Sequence, residues 1–378
     1  MKAVEKITEL DKISFPKLGW EFKIDPTAFK IGNLEIQWYG ILITLGLVLA
    51  VIYCMPKMKR FGLDSDRAID AVIGGVIGGI IGARAYYVIF NWSEYKGDFK
   101  EIFNTRGGGL AIYGGIIGAV LVGLLICKLR KVKMLPMLDI TVLGFLIGQG
   151  IGRWGNFINQ EAYGTNTDSL FGMTGGRIQA ELAWESTDMS GDMAQKGIEV
   201  FADYAVHPCF LYESLWCLLG FVILAFISKR RKYDGQIFLM YLGWYGAERF
   251  FVEGLRTDSL MIGNLRVSQV LSAVIFIVSV VLQIVIFFRR RRDPEAFVLY
   301  ANTEESRQLI EESRRKRMGV PAEDIHLSLD DDYEEEFSDD DFDDDDDDTD
   351  DAPAEDDDNG EIQEDSKEIK ENENKEEI

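Results

Sequence analysis

Residues 137–164, MLDITVLGFLIGQGIGRWGNFINQEAYG, open as a lipid-soluble helix and close on an arginine, two asparagines and a glutamate. Ionisable groups at membrane depth cost about 2.5–3.5 kcal/mol each on insertion scales, so a helix that carries them there marks a site. Arg153, Asn156, Asn159 and Glu161 therefore call for a polar partner. Outward from this stretch, apolar runs of about 17–25 residues, long enough to cross a bilayer as helices, recur along the chain. They occupy 36–55, 68–90, 110–127, 137–153, 208–228, 235–253 and 267–288. The expected fold is an all-α polytopic membrane protein with seven transmembrane helices. The first run lies far from the N-terminus and lacks the short apolar region and small-residue cleavage site of a signal peptide, so it is expected to be a permanent span.

The net charge of −23 is unevenly placed, because residues 293–378 hold 37 of the 63 acidic residues and 8 of the 40 basic ones. The body is thus net positive. Its basic residues fall in alternate loops: Lys57, Lys59, Arg60 and Arg67; Lys128, Arg130, Lys131 and Lys133; Lys229 to Lys232; and Arg289 to Arg292. The positive-inside rule puts these loops in the cytoplasm, with the N-terminus outside and the C-terminus cytoplasmic. Six lysines in residues 1–37 oppose this orientation. An amphipathic segment over 1–35, lying on the outer surface, would accommodate them.

Three domains follow: an extracytoplasmic segment 1–35, a seven-helix body 36–292 and an acidic tail 293–378. Residues 165–206, the one long loop, are expected to form a small extracytoplasmic cap. The tail, with SDDDFDDDDDDTDDAPAEDDD, repels itself and has little to bury, so disorder is expected; residues 303–317 are anticipated as a short helix against the inner leaflet. The glycines of GGVIGGIIGARA (74–85) and YGGIIGAVLVG (113–123) suit close helix packing in lipid. Cys54, Cys127, Cys209 and Cys217 lie in or beside spans, with no disulfide framework and no metal-ligand spacing. Neither metal nor cofactor is expected, and membrane lipids rather than nucleic acid are the expected partners.

Once each span has a direction, the depth of its polar residues follows at about 1.5 Å per residue. Tyr39, Arg84, Tyr113 with Arg106, Arg153 and Asn156, and His207 with Tyr212 and Glu213 all fall near the outer leaflet. Tyr245, Arg249, Glu253 and Arg256 form one stripe, spaced four, four and three apart within an arc of about 80°. Arginines at headgroup depth, oriented by carboxylates, suit an anionic phosphate, which the planar guanidinium binds bidentately. An ordinary interhelical ion-pair network is the structural alternative. A transporter would carry such groups near the midplane and show two related halves, while a non-catalytic scaffold would use the acidic tail as a binding arm.

The motifs IQWYG (36–40), GAR (82–84), RGGGLAIYGG (106–115), GRWGNFINQEAYG (152–164), HPCFLYE (207–213) and YGAERFFVEGLR (245–256) resemble the bacterial phosphatidylglycerol:prolipoprotein diacylglyceryl transferase family over residues 30–290. The resemblance implies a seven-helix transferase of the bacterial inner or plasma membrane with its site toward the periplasm or cell exterior. It would move the diacylglyceryl group of phosphatidylglycerol onto the lipobox cysteine of a preprolipoprotein, forming a thioether and releasing glycerol phosphate. It implies roles in activity or lipid binding for Arg153, Tyr245, Arg249 and Glu253; Tyr113, read from its place in the third span, is a further catalytic candidate, as tyrosinate or as a group that positions the thiol. Phosphatidylglycerol binding falls to Arg153, Tyr39, Asn156, Glu161, Gly164, Arg249 and Arg256, with His207 a candidate base. Where many members have a histidine before paired glycines, this chain reads Ile112-Tyr113-Gly114-Gly115, which leaves the proton acceptor open. The tail's partner also stays open.

Overall fold

The structure, a computed structural model, describes residues 9–32, 34–97, 99–105, 108–187, 193, 200–257, 261–262 and 265–318. Six of its helices are long and apolar enough to cross a membrane: α1 (Trp38–Cys54, continued to Lys57), α2 (Ser65–Phe90), α5 (Ile112–Arg130), α6 (Met134–Asn159), α8 (Cys209–Ser228) and α10 (Val267–Arg292). The chain is a multi-pass membrane protein. Two short helices, α3 (Trp92–Tyr95) and α4 (Phe99–Phe103), follow α2. The stretch expected as the remaining span is α9, Gln236–Leu255, a 20-residue helix packed against α6, α8 and α10. Glu248, Arg249 and Glu253 take it outside the apolar range of the other six.

Small residues set the helix pairs, as lipid leaves packing rather than hydrophobic force to hold them. Along α2 and α5, a Cβ on Gly82 would run into the Gly114 carbonyl and lie 2.8 Å from the Gly118 Cα, so only bare backbone allows this approach. Between α8 and α9 the indoles of Trp216 and Trp244 stack at 4.5 Å, each Nε1 donating to the other's carbonyl at 3.1 Å. This double clasp fixes the register of the two helices, and so sets Glu213 beside Arg249.

The basic loops gather at one end of the bundle, as their alternation predicted. Arg60 donates to the Lys229 carbonyl at 3.0 Å, Arg231 to the Arg60 carbonyl at 2.9 Å, and Arg130 pairs with Asp70 at 2.6 Å. There the fully buried Asp139 of α6 accepts from the backbone N–H groups of Gly235 and Phe238, both at 2.8 Å, and so caps α9 from a neighbouring helix. Asp139→Ala would leave the buried Gly235 N–H and the part-buried Phe238 N–H at the start of α9 without their acceptor. A loss of about 2 kcal/mol or more is expected, read as a lower thermal unfolding midpoint in detergent.

Up to Met318 the expected tail is ordered. Glu304–Met318 is helix α11, the short helix anticipated for 303–317, and it packs on the basic loops through Lys133–Glu305 at 3.0 Å, Arg67–Glu312 at 3.1 Å and Arg317–Asp66 at 3.1 Å. Ser306 Oγ, buried, donates to the Gly62 carbonyl at 2.8 Å. Gly62, at φ +75°, would carry a Cβ 2.6 Å from the Ala301 Cα, so this turn takes the segment only as glycine. Residues 319–378 lie outside the described residues.

The other end is covered by β-structure instead of an amphipathic segment. Strands β1 (Lys12–Phe15) and β2 (Trp20–Lys23) form an antiparallel hairpin extended by β5 (Thr174–Gly175), in the order β2-β1-β5. A second hairpin, β3 (Thr27–Ile31) and β4 (Leu34–Gln37), runs directly into α1. Period-two alternation buries Ile13 and Phe15. They join Phe157 of α6, Tyr163, Met173, Phe210 of α8, and Ile178 and Leu182 of α7 (Gly176–Thr187) in one core. Among the described residues of 165–206, α7 and Met173 contribute to this core and β5 to the sheet. Gln160 joins cap to bundle: it closes α6 at φ 57°, donates to the Leu10 carbonyl at 2.7 Å and accepts from Arg177 N at 2.9 Å.

Candidate active site

Below this cap, three helices bring their charges together. On α8, Glu213 sits one turn inside the start, with its side chain fully buried. Arg153 Nη1 of α6 pairs with one of its oxygens at 2.8 Å; Arg249 Nη1 of α9 donates to the other at 2.8 Å, and Arg256 Nη1 lies 3.8 Å from that second oxygen. Arg249 also donates to Glu253, one turn further along α9. One buried carboxylate thus orders three guanidiniums at one level.

Local contacts hold each arm. Trp154 Nε1 donates to Ser214 Oγ at 3.2 Å, and Ser214 Oγ donates to the Gly150 carbonyl at 2.8 Å, which sets Arg153 opposite Glu213. At the end of α9 Arg266 donates to the Glu253 and Arg256 carbonyls, the latter at 3.0 Å, neutralising helix-terminal acceptors where the dipole is negative. Gly164 stands where three segments meet. Its N–H donates to the His207 carbonyl at 2.9 Å, it bridges Arg256, and a Cβ there would lie 2.8 Å from His207 Cβ and 3.0 Å from the Leu255 carbonyl oxygen. Only glycine lets these strands close beside the arginines.

Beside Arg153 lies the polar end of α6. Asn156 Nδ2 donates to Glu161 Oε1 at 2.8 Å and Asn159 Nδ2 to the same oxygen at 3.3 Å. The Tyr39 ring lies on Gly155, whose missing side chain makes room for it. Tyr245 stacks on Tyr241 at 6.0 Å, and Tyr241 donates to Gln149 at 3.3 Å. Arg153 keeps part of its guanidinium open: its side chain is 23% exposed, and no other protein group pairs with its remaining nitrogens among the described residues. A buried carboxylate holding arginines, one of them with part of its edge unpaired, has the chemistry to bind a phosphate diester or monoester.

The family described as prolipoprotein diacylglyceryl transferase matches residues 26–285. This chain belongs to the prolipoprotein diacylglyceryl transferase family. Relatives named phosphatidylglycerol–prolipoprotein diacylglyceryl transferase include one from Finegoldia magna, 47% identical over 262 residues that cover 69% of this chain and 95% of the relative. One from Clostridioides difficile is 41% identical over 251 residues, 66% of this chain and 91% of its own. A third, from Listeria monocytogenes serotype 4b, is 38% identical over 276 residues, 73% and 94% respectively. The chain is therefore a transferase.

In this transferase Arg153, Arg249 and Arg256 meet on Glu213, and Glu253 pairs with Arg249; Gly164 and His207 adjoin them through backbone contacts; and Tyr39, Asn156 and Glu161 lie along the end of α6 beside Arg153. Tyr113 stands apart. It is 61% exposed in the first turn of α5, which packs along α2, and no hydrogen bond or ion pair joins it to the arginines among the described residues. Arg84 is engaged elsewhere, donating to the carbonyls of Ile102, Gly108 and Gly109 at 2.8, 3.2 and 2.9 Å, and so anchors the α4–α5 loop. Arg106 lies outside the described residues. His207 Nδ1 is 3.3 Å from the Tyr212 hydroxyl, and burial lowers its pKa, which keeps the imidazole neutral near pH 7. Glu213 as the hub, Arg266 as the clamp and the buried Glu248 were not singled out from the sequence. Glu213 had a signal, a carboxylate one turn inside a span, but its partners come from helices about 60 and 36 residues away in the chain.

Proposed function

We propose that this transferase moves the diacylglyceryl group of phosphatidylglycerol onto the lipobox cysteine thiol of a preprolipoprotein in the bacterial plasma membrane. The observation that carries the reading is the convergence of Arg153, Arg249 and Arg256 on the buried Glu213, with an open guanidinium edge on Arg153. The relatives' names supply the substrates. On this reading α9 is the seventh span, its charges tolerated because they pair inside the bundle. The cap and N-terminus are extracytoplasmic, and the basic loops and α11 cytoplasmic.

In the reaction the thiol sulfur attacks the glycerol carbon next to phosphate. The new C–S bond replaces the C–O bond, whose electron pair stays on the departing phosphate. The substrate phosphodiester carries one negative charge, and the leaving glycerol phosphate develops a second. Guanidiniums already fixed by Glu213 and Glu253 bind that growing charge more strongly than the ground state, and this difference lowers the barrier. Asn156, held by Glu161, donates to a lipid oxygen; Tyr39 and Tyr245 line the lipid; Gly164 keeps Arg256 close.

The thiol proton leaves through His207, neutral and one strand from Arg256, or through Tyr113. Purified protein incubated with phosphatidylglycerol and a lipobox peptide is expected to yield a peptide heavier by one diacylglyceryl group. His207→Ala should slow this step by about 100-fold if the imidazole is the base, and Tyr113→Phe should then leave it near wild type. No adduct from the wild-type protein would refute the function, and unaltered rates in both variants would leave the base to neither.

A further inference from the structure

At the end of the bundle opposite the cap, α11 does not close fully on the helices it meets. Between its last turns, the first turn of α2 and the last turn of α5 lies a cavity of about 490 Å³. Five cations among the described residues line it: Arg67 of α2, Arg130 and Lys131 at the end of α5, and Lys316 and Arg317 of α11. Acids hold four of them. Arg67 pairs with Asp64 at 3.8 Å and Glu312 at 3.1 Å, Arg130 with Asp70 at 2.6 Å, and Lys316 with Glu312 at 2.7 Å. Arg317 pairs with Asp66 at 3.1 Å and Asp64 at 3.7 Å. Lys131, exposed in the left-handed conformation that caps α5 at φ 59°, has no ion pair or side-chain hydrogen bond among the described residues. The paired cations also keep open edges, since the side chains of Arg130, Lys316 and Arg317 are 48%, 70% and 53% exposed.

One wall of the cavity is apolar. Leu129, 66% exposed, belongs with Leu125 and Leu121, 53% and 63% exposed, to a ridge formed by every fourth residue of α5. Helix α2 packs on a different face of α5, at Gly114, Gly118 and Val122, so the leucine ridge is left to lipid chains.

We propose that this cavity binds the phosphodiester headgroup of an anionic phospholipid from the adjoining leaflet, with Lys131, Arg130 and Lys316 on the phosphate and an acyl chain along Leu129, Leu125 and Leu121. The apolar ridge ends where the cations begin, which is the order of parts in a phospholipid. An ion-pair network that served only to seat α11 would need neither the void nor the unpaired Lys131 at its wall. The family match ends at residue 285, so the α11 half of the cavity lies outside it. The lipid bridges α5 to α11 and tightens the seat of α11 where the membrane supplies an anionic headgroup. The arginine cluster on Glu213 lies at the other end of the bundle, so this site is separate from the reaction.

The test is hydrogen exchange of the α11 backbone in full-length protein, reconstituted in nanodiscs of phosphatidylcholine with a rising fraction of phosphatidylserine. Exchange in residues 304–318 is expected to slow with that fraction. Lys131→Gly keeps the left-handed backbone and removes the ammonium; it should need about fivefold more phosphatidylserine for the same effect, the worth of one basic residue at an anionic surface. Lys316→Gln should weaken the response by a similar factor, and Lys131→Arg should respond like wild type. Arg292→Gln, outside the cavity, should leave the response unchanged. Equal exchange with and without phosphatidylserine, or an undiminished response in both Lys131→Gly and Lys316→Gln, overturns the proposal. So does an equal weakening by Arg292→Gln, which would mean diffuse attraction to the surface. The same slowing by inorganic phosphate in pure phosphatidylcholine would also overturn it, by making the occupant a free anion.

Discussion

Glu213→Ala is expected to abolish transfer and to destabilise the protein by about 3–5 kcal/mol, the cost of breaking a buried ion pair from one side. The effect is large because the fully buried Glu213 serves Arg153, Arg249 and Arg256 together, so its loss sets three guanidiniums against one another. Thermal unfolding in detergent and the diacylglyceryl-peptide assay measure the two effects separately. Glu213→Gln should recover much of the stability, since the amide oxygen still accepts a hydrogen bond, while transfer stays impaired because the neutral amide no longer orders the guanidiniums. A Glu213→Ala protein that melts and turns over like wild type would show that the arginines are held by other means.

The second large effect is expected at Arg153. Arg153→Lys keeps the charge and can still pair with Glu213, but it has no second edge to offer the phosphate. A fall of roughly 10²- to 10³-fold in transfer is expected, the scale of removing one fixed donor from a developing anion. Stability should change little, because the arginine side chain is only partly buried at 23% exposure. Arg249→Lys should be as severe for transfer and worse for stability, since Arg249 bridges Glu213 and Glu253. Wild-type turnover by Arg153→Lys would remove bidentate phosphate binding from the mechanism.

Much of the arrangement is legible in the chain alone, for a physical reason. Lipid imposes a strict length and polarity on whatever crosses it, so the apolar runs, the alternate basic loops and the Tyr245–Arg256 stripe follow from local composition. The gathering of Arg60, Arg130 and Arg231 at one end follows in the same way. The N-terminal hairpins were harder to read. The four-residue strand Lys12–Phe15 buries only Ile13 and Phe15, too short an alternation to distinguish a strand from an amphipathic segment until β5 and Phe157 close over it. Arg84 and Arg153 look alike in sequence, each near one end of a span. Only the loop carbonyls that capture Arg84 separate them.

Glu248 illustrates the same limit. It precedes Arg249 directly, and a helix turns adjacent residues about 100° apart, so it falls off the stripe and reads as an incidental charge. Whether such a carboxylate meets lipid, water or two arginines depends on which helix packs against that face. By itself the sequence determined the membrane-spanning character and the family, because each rests on local composition or a contiguous motif. Only the tertiary structure decided that Glu213 is the centre on which Arg153, Arg249 and Arg256 converge, that Tyr113 stands apart and that Glu248 lies buried beside them. Those outcomes depend on helix rotation and register, which the Trp216–Trp244 clasp and the glycine contacts set between segments far apart in the chain.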